Sequence, residues 1–535
     1  MSTNYLIGIG GTGARVVEAV VHACAAGLGP DELNIFLIDP DDSNGNLSRT
    51  KTLVSDYQRG RKAFTQRNDE DRVRLFHTRI ETPDPFVWSI FSARDTTLAT
   101  YVDLDNLRER ADQRALADFI SVLFTGAELE TVLNEGFRGH PSIGAVVMAT
   151  HDPGQEPWKS FWDDVKQCQG PHEAKVFLVG SIFGGTGAAG IPTFAAPEMI
   201  KFKPDANVGD GSSKVLLGGA LVLPYFTFES PETPPITADG RQEMFVTPAD
   251  FPIATQAALQ FYHEKKLGFD EVYFIGDSLA QRVGKFSHGS LRQDNRAHYI
   301  ELVSALAAFD FFSQPHDPAV ADPKYFYGCR EARVVDWKAL LTNRDANKVA
   351  ERQNEVKLAL CTMTAFAYML ATEGEAVLAA PHGEVLDAWY KSNFRLDPRR
   401  AEDAGRNPRE AKQRASIEMV EIFGRKFLAW IASLDEDSGE VRLIDRHKLF
   451  ADTGEPDENG AARLLAPREH EAVIGEFVKG TQRGKRLEDF LRILREVQVE
   501  ASSMSPANRW INLFYEAARE FCATAYNIPL PIRPR

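Results

Sequence analysis

Residues 180–192 read GSIFGGTGAAGIP and follow the apolar run AKVFLV (174–179). Five glycines fall within residues 180–190. Glycine lets a backbone come close to a ligand, and successive N–H groups in such a turn form a concavity that binds anions. Thr186 adds a hydroxyl donor. A second cluster, GIGGTGAR (8–15), lies roughly 170 residues upstream, between the run YLIGIG (5–10) and the helical stretch ARVVEAVVHACAAG (14–27). It satisfies G-x-G-x-x-G, and Asp39 closes the next apolar run. Alone, that cluster reads as a dinucleotide fingerprint with Asp39 on a ribose hydroxyl. Two GGTG loops at one sheet edge can instead hold one polyphosphate from opposite sides, and an NAD(P)-type oxidoreductase has no need of the second. No G-x-x-x-x-G-K-[ST] is present and no lysine follows either cluster, which argues against a P-loop NTPase.

Outward from these loops, apolar runs alternate with helix-length segments. The strand candidates beyond 5–10 are NIFLIDPDD (34–42), VRLFHTRI (73–80), IGAVVMAT (143–150), AKVFLVGS (174–181), KVLLGGALVLP (214–224) and EVYFIGD (271–277). They lack polar alternation, as strands covered on both faces do. Helix candidates are 110–135, 155–168, 191–203 (opening near Pro192) and 248–266. The alternation implies a parallel α/β sheet with helices on both faces. After about residue 290 the texture turns helical, with candidates at 294–312, 336–380, 408–433, 469–480, 485–501 and 506–526. The expected organisation is a nucleotide-binding domain over 1–293 and a central helix over 294–313. A helical, activation-type region follows over 314–395, then a helical C-terminal region over 396–535 with polar, mobile loops.

The 535 residues suffice for two or three domains. A net charge of −15 argues against a nucleic-acid partner. Five scattered cysteines without CxxC spacing fit a reducing cytosol. The longest apolar stretch, VLLGGALVLPYF (215–226), is too short to span a bilayer, and no signal peptide is read at the start, so a cytoplasmic location is expected. The twelve histidines make no H-x-x-x-H pair, which disfavours a zinc hydrolase.

Both loops together make the sequence resemble the tubulin/FtsZ superfamily, closest to divergent bacterial tubulin-like proteins. The family's GGGTGSG-like loop appears as FGGTGAA (183–189), with Phe183 and Ala189 replacing its outer glycines, and GIGGTGAR is similar to the family's first loop. The resemblance covers roughly residues 1–340. It implies a parallel GTPase sheet that binds GTP or GDP with Mg²⁺. Gly10, Gly11, Thr12, Gly13, Gly184, Gly185, Thr186 and Gly187 would cradle the phosphates, and Asp39 and Asp41 would lie near the metal. PYFTFES (224–230) looks like the ribose loop, which suggests Glu229 at the sugar, and Asn295 before the central helix suggests a reader of guanine. His298 and Glu301, at i,i+3 beside it, read more often as a capped and solvated helix start than as contacts to the nucleotide or a neighbouring loop.

In this family hydrolysis needs an acidic loop after the central helix, which enters the next subunit. VVDWKALL (334–341) keeps only Asp336 of that pattern, and Asp317 and Asp322 in SQPHDPAVADP (313–323) are the other candidates, Asp317 first. The resemblance thus implies a GTPase that assembles head to tail into filaments, in a bacterial anti-phage or other multi-protein system. The alternatives are a non-hydrolysing, nucleotide-dependent scaffold that binds a partner protein through its helical C-terminal region, and an NAD(P)-binding Rossmann oxidoreductase.

Overall fold

Strands rich in Val, Ile, Leu and Phe need cover on both faces, and the structure, a computed structural model, provides it. It describes residues 2–41, 43–64, 74–89, 96–133, 136–150, 152, 154–167, 173–196, 215–229, 246–277, 281–285, 295–314, 323–328, 334–340, 347–380, 388–394, 407–434, 440–451, 463–465, 487–497, 499 and 504–530. The chain begins with β1 (Ser2–Ile9), α1 (Gly10–Ala25), β2 (Glu32–Ile38), α2 (Gly45–Ala63), β3 (Arg79–Glu81) and β4 (Val87–Trp88). A run of helices follows: α3 (Leu98–Tyr101), α4 (Leu104–Glu109), α5 (Arg114–Leu123), α6 (Gly126–Leu129), α7 (Pro141–Met148) and α8 (Trp158–Gln167). Then come β5 (Glu173–Ser181), α9 (Gly185–Phe194), β6 (Val215–Val222), β7 (Phe226–Glu229), α10 (Asp250–Lys265), β8 (Glu271–Ile275) and β9 (Gln281–Lys285). The last part holds α11 (Tyr299–Ser313), β10 (Lys324–Gly328), α12 (Val349–Met369), α13 (Glu375–Ala379), α14 (Ala388–Asn393), α15 (Ala411–Ser433), α16 (Leu487–Glu496) and α17 (Pro506–Tyr526).

One parallel sheet runs in the order β10-β8-β6-β5-β1-β2-β3, with β4 also paired to β2. β7 and β9 form a separate parallel pair. Chain order reverses between β1 and β5: β1 leads through α1 to β2 on one side, and β5 leads to β6 on the other. Such a switch point leaves a crevice outside the carboxyl ends of the strands, where α/β sheets bind ligands. Alternate side chains along each strand serve the two faces. Leu6, Ile35, Val179 and Ala220 pack with α1, α2 and α11. Ile7, Leu178 and Leu221 pack with α7, α9 and α10.

The C-terminal helices join the first of these cores. α15 lies on α2, and α12 packs on both α15 and α17. α15 also reaches α1: His22 stacks on Trp430 with centroids 4.6 Å apart and touches Phe423 and Phe427. Lys426 pairs with the buried Asp56 of α2. The fold class is therefore the expected one, a parallel sheet with helices on both faces and a mainly helical C-terminal region.

Several local expectations are corrected. IGAVVMAT (143–150) lies in helix α7 and its end, not in a strand. An eight-residue apolar run suits a buried helix equally well, and Pro141 at the first helical position marks the start. In VRLFHTRI only Arg79 and Ile80 enter β3, because Phe76 takes a left-handed φ of 52° that no strand accommodates. The helix expected over 110–135 breaks at Thr125, whose capping box with Glu128 starts α6. The helix expected to open near Pro192 opens at Gly185, and Pro192 lies inside it. The helix expected over 336–380 begins at Val349. The candidate at 469–480 lies outside the described residues.

Burial drives the His22 imidazole well below its usual pKa, and Arg49 and Lys426 push it further down. The unfolded chain therefore takes up this proton near pH 6.5 while the folded chain refuses it. The stabilisation is complete above pH 6.5 and is lost as pH falls below it, with a slope of at most about 1.4 kcal/mol per pH unit. The buried Glu18 is raised, chiefly by burial, and works in the opposite sense as pH rises above its normal carboxyl range. The difference between wild type and His22→Leu cancels the Glu18 contribution. Denaturant melts from pH 7.5 to 5 are expected to show a shallower acid loss in the variant, and parallel curves would refute the assignment.

Candidate functional site

The two glycine clusters meet at the switch point. β1 and β5 are paired in register from Ser2–Glu173 to Gly8–Val179, so their carboxyl ends deliver both loops side by side. Gly10, at φ 74°, is so close to the second loop that a Cβ there would lie 3.2 Å from the Thr186 Cβ. A Cβ on Gly13 would lie 2.7 Å from the Val179 carbonyl oxygen. α1 then descends one face of the sheet and α9 the other. Neither helix has a side-chain cap at its N-terminus. Their leading N–H groups and positive dipole ends thus converge on one crevice, an arrangement suited to an anion. Gly11, Thr12, Gly184 and Thr186 are partly exposed there, whereas Gly10, Gly13, Gly185 and Gly187 are buried in the turns.

The turn after β2 forms the next wall. Asp39 and Asp41 are 3 % and 2 % exposed. The Asp41 amide donates to Asp39 Oδ1 at 3.0 Å, and the Ser43 amide and hydroxyl donate to Asp41 Oδ1 at 3.1 and 2.7 Å. Asn44 caps α2 by accepting from the Asn46 amide at 2.9 Å. The side chains of Asn44 and Asn46 flank Gly11, each 3.7 Å from where its Cβ would be. Among the described residues no group of three or more His, Cys, Asp or Glu could hold a metal. Two carboxylates are nevertheless the oxygen set that Mg²⁺ takes when phosphates complete its shell.

Asn295 precedes α11 rather than opening it. Its amide donates to Asn46 Oδ1 at 2.9 Å, which ties the approach to α11 to the turn beside Gly11. α11 itself is capped by His298 and Glu301: the Ile300 amide donates to His298 Nδ1 at 3.2 Å and the His298 amide to Glu301 Oε2 at 3.0 Å. The expectation of a solvated pair is corrected, since both are buried. Glu229 ends β7 in the open, level with Lys285 of β9.

Of the acidic candidates only Asp336 is among the described residues. α11 runs to the amino end of the strands, opposite the glycine loops, where Lys175 near the start of β5 donates to the carbonyls of Phe312 and Gln314 at 2.9 and 2.5 Å. β10 intervenes before Asp336, which is exposed and accepts from the Lys338 amide at 2.9 Å. Its neighbour Val335 bridges to Val441. Asp317 and Asp322 lie outside the described residues.

Two features were missed from the sequence. The segment Gly136–His140 packs against the second loop: a Cβ on Gly185 would meet Phe137 O at 3.1 Å and Gly139 N at 3.2 Å. Gly136, Arg138 and Gly139 all have positive φ, and the two glycines flanking Phe137-Arg138 were the available signal. The second is a buried cluster under the first loop. Arg15 Nε lies 3.0 Å from Glu301 Oε1, Arg15 Nη2 donates to the Tyr225 hydroxyl, and that hydroxyl donates to Glu301 Oε1 at 2.8 Å.

No family model matches the chain, and no curated protein matches it either. Among solved structures it is similar to a GTPγS-bound protofilament of CetZ2 from Haloferax volcanii, at 14 % identity and a TM-score of 0.26. The match covers 57 % of this chain and 58 % of that one, so less than two thirds of that protein's length is spanned. Among the described residues no helix is long and apolar enough to cross a membrane.

Proposed function

We propose that this chain binds a guanine nucleotide in the manner of the tubulin/FtsZ proteins and assembles head to tail with copies of itself. The observation that carries this reading is the convergence of two helix N-termini without side-chain caps, with Gly10 against Thr186, at the switch point of a parallel sheet. Backbone N–H groups of Gly10–Gly13 and Gly184–Gly187 bind the phosphates, and Thr12 and Thr186 add hydroxyl donors. Asp39 and Asp41 hold Mg²⁺, which when bound neutralises phosphate charge. Glu229 serves the ribose and Asn295 the base, whose edge an amide matches with both donor and acceptor. A head-to-tail contact gives open polymers unless its rotation closes a ring.

Denaturing the purified protein and weighing the released ligand tests the reading directly. GDP or GTP is the expected result; a nicotinamide dinucleotide would reassign the crevice, because the same strand order serves those cofactors. Thr186→Ala keeps the Cβ beside Gly10 and removes the hydroxyl donor together with the Cγ2 methyl. It is expected to weaken GTP binding by about tenfold or more, the worth of a hydrogen bond to a charged group (about 1.5–3 kcal/mol), with little change in stability. Unchanged affinity in a titration sinks the phosphate assignment.

A second reading is favoured by the position of Asp336. Its carboxylate caps its own turn, and β10 separates it from α11. A nucleotide-dependent scaffold without turnover fits that placement, and Asp317 then becomes the deciding residue. Phosphate release that falls in Asp317→Ala but not in Asp336→Ala supports hydrolysis through Asp317. Wild-type protein that retains GTP without releasing phosphate supports the scaffold.

A further inference from the structure

Three segments that lead into the crevice meet on one buried carboxylate. Glu301 stands at the third position of α11 and is buried. Its Oε1 lies 3.0 Å from Nε of Arg15 in α1 and accepts from the Tyr225 hydroxyl at 2.8 Å. Its Oε2 accepts from the His298 amide at 3.0 Å, on the chain that arrives from Asn295. Arg15 Nη2 donates in turn to the Tyr225 hydroxyl, and its guanidinium lies over the rings of Tyr225 and Phe226, 5.6 Å from each centroid. The Tyr225 and His298 rings touch as well, with centroids 5.0 Å apart. One side chain thereby joins the helix behind the first glycine loop, the turn that leads to Glu229 and the segment that holds Asn295. Stability alone does not account for it, because packed apolar side chains of similar volume often serve as well as a buried ion pair. A carboxylate does what an apolar side chain cannot, since its two oxygens fix the direction of each partner as well as its distance.

We propose that Glu301 is the positioning residue for the nucleoside: it holds the segments of Glu229 and Asn295 at a fixed offset from the phosphate loops, and the crevice thereby prefers a nucleoside triphosphate to a bare polyphosphate. This rests on the nucleotide reading and adds to it the source of nucleoside selectivity. The phosphate loops themselves do not need Glu301. Gly10–Gly13 are set by the pairing of β1 with β5 and by the close approach of Gly13 to the Val179 carbonyl, both backbone contacts. Tyr225 lies between β6 and β7 and His298 just before α11, outside any strand, and both bond to Glu301. Groups on these segments grip a sugar and a base only within hydrogen-bond distance, and a displacement of about 1 Å is enough to lose that geometry.

The test compares affinities for GTP and for inorganic tripolyphosphate, each with Mg²⁺, by calorimetric titration of wild type, Glu301→Gln and Tyr225→Phe. Glutamine keeps the shape but presents an amide donor to one set of partners where an acceptor stood. Phenylalanine takes the hydroxyl out of the junction and leaves the contact of Arg15 with Glu301 in place. Wild type is expected to bind both ligands, GTP the more tightly. Glu301→Gln should lose about tenfold in affinity for GTP and Tyr225→Phe about threefold, while tripolyphosphate affinity stays within about twofold in both. A residue that only stabilised the fold would leave the ratio of the two affinities alone, because an unfolded fraction lowers both equally. Affinities that fall in parallel, or a ratio unchanged in both variants, would overturn the proposal, as would a wild type that binds GTP but no tripolyphosphate. Should Glu301→Gln fail to fold, the ratio in Tyr225→Phe decides alone. A wild type that does not bind GTP would remove the nucleotide reading itself, and the role of Glu301 with it.

Discussion

Gly187→Ala is expected to destabilise the protein by about 3 kcal/mol and to abolish ligand binding at the crevice. A Cβ at this position would lie far inside contact distance of the Ser181 carbonyl oxygen and 2.9 Å from the Ser181 nitrogen. Both are backbone atoms at the end of a central strand, so neither can rotate away. Relief requires α9 to move off β5, which would pull Thr186 from Gly10 and open the clamp. Two controls separate this from a general intolerance of alanine. Gly184→Ala meets only the Ser181 hydroxyl, at 2.9 Å, and that side chain can rotate. Gly126→Ala meets nothing within 4 Å and should change stability by less than about 1 kcal/mol. Denaturant midpoints at unchanged slope are the measurement. A Gly187→Ala protein as stable as the Gly126→Ala control would show that the loop is looser than its geometry.

The second large effect concerns the helical C-terminal region. Phe423 of α15 is fully buried, with ring centroids 5.1 Å from Phe76, 5.5 Å from His22 and 5.8 Å from Tyr57. Phe423→Ala removes most of a side chain from a core shared with α1 and α2, at a cost of about 3–5 kcal/mol. The sheet's first face and the C-terminal helices lie in one continuous apolar cluster. Unfolding is therefore expected as a single transition shifted as a whole, with nucleotide affinity lost along it. Two transitions, only the later of them unmoved by the substitution, would mean that the C-terminal helices are a separable module.

How much of this could be read from the sequence follows from the range of the interactions. The glycine loops and the buried strands were legible because their signals are local: glycine where backbones touch, and unbroken apolar runs where both faces are covered. Residues 143–150 were not, since a short apolar run has the same composition in a strand and in a buried helix. The Tyr225 junction was beyond reach for another reason. Its members Arg15 and Tyr225 are 210 residues apart, and Tyr225 and Glu301 are 76 apart. Nothing in GIGGTGAR says that its arginine turns inward to a carboxylate rather than outward to solvent. The adjacency of Phe137–Gly139 to Gly185 is likewise a product of packing between α7 and α9.

The pairing of β1 with β5 has a consequence for selectivity. Both glycine turns grow from the two strands at the middle of the sheet, so neither can shift its backbone without unzipping the centre of the fold. The segments beside them leave the flanking strands: Asp39 and Asp41 follow β2, which pairs with β1, and Tyr225 follows β6, which pairs with β5. A ligand entering the crevice therefore meets a floor that cannot adapt to it, and discrimination among ligands falls to the side chains that the flanking segments present.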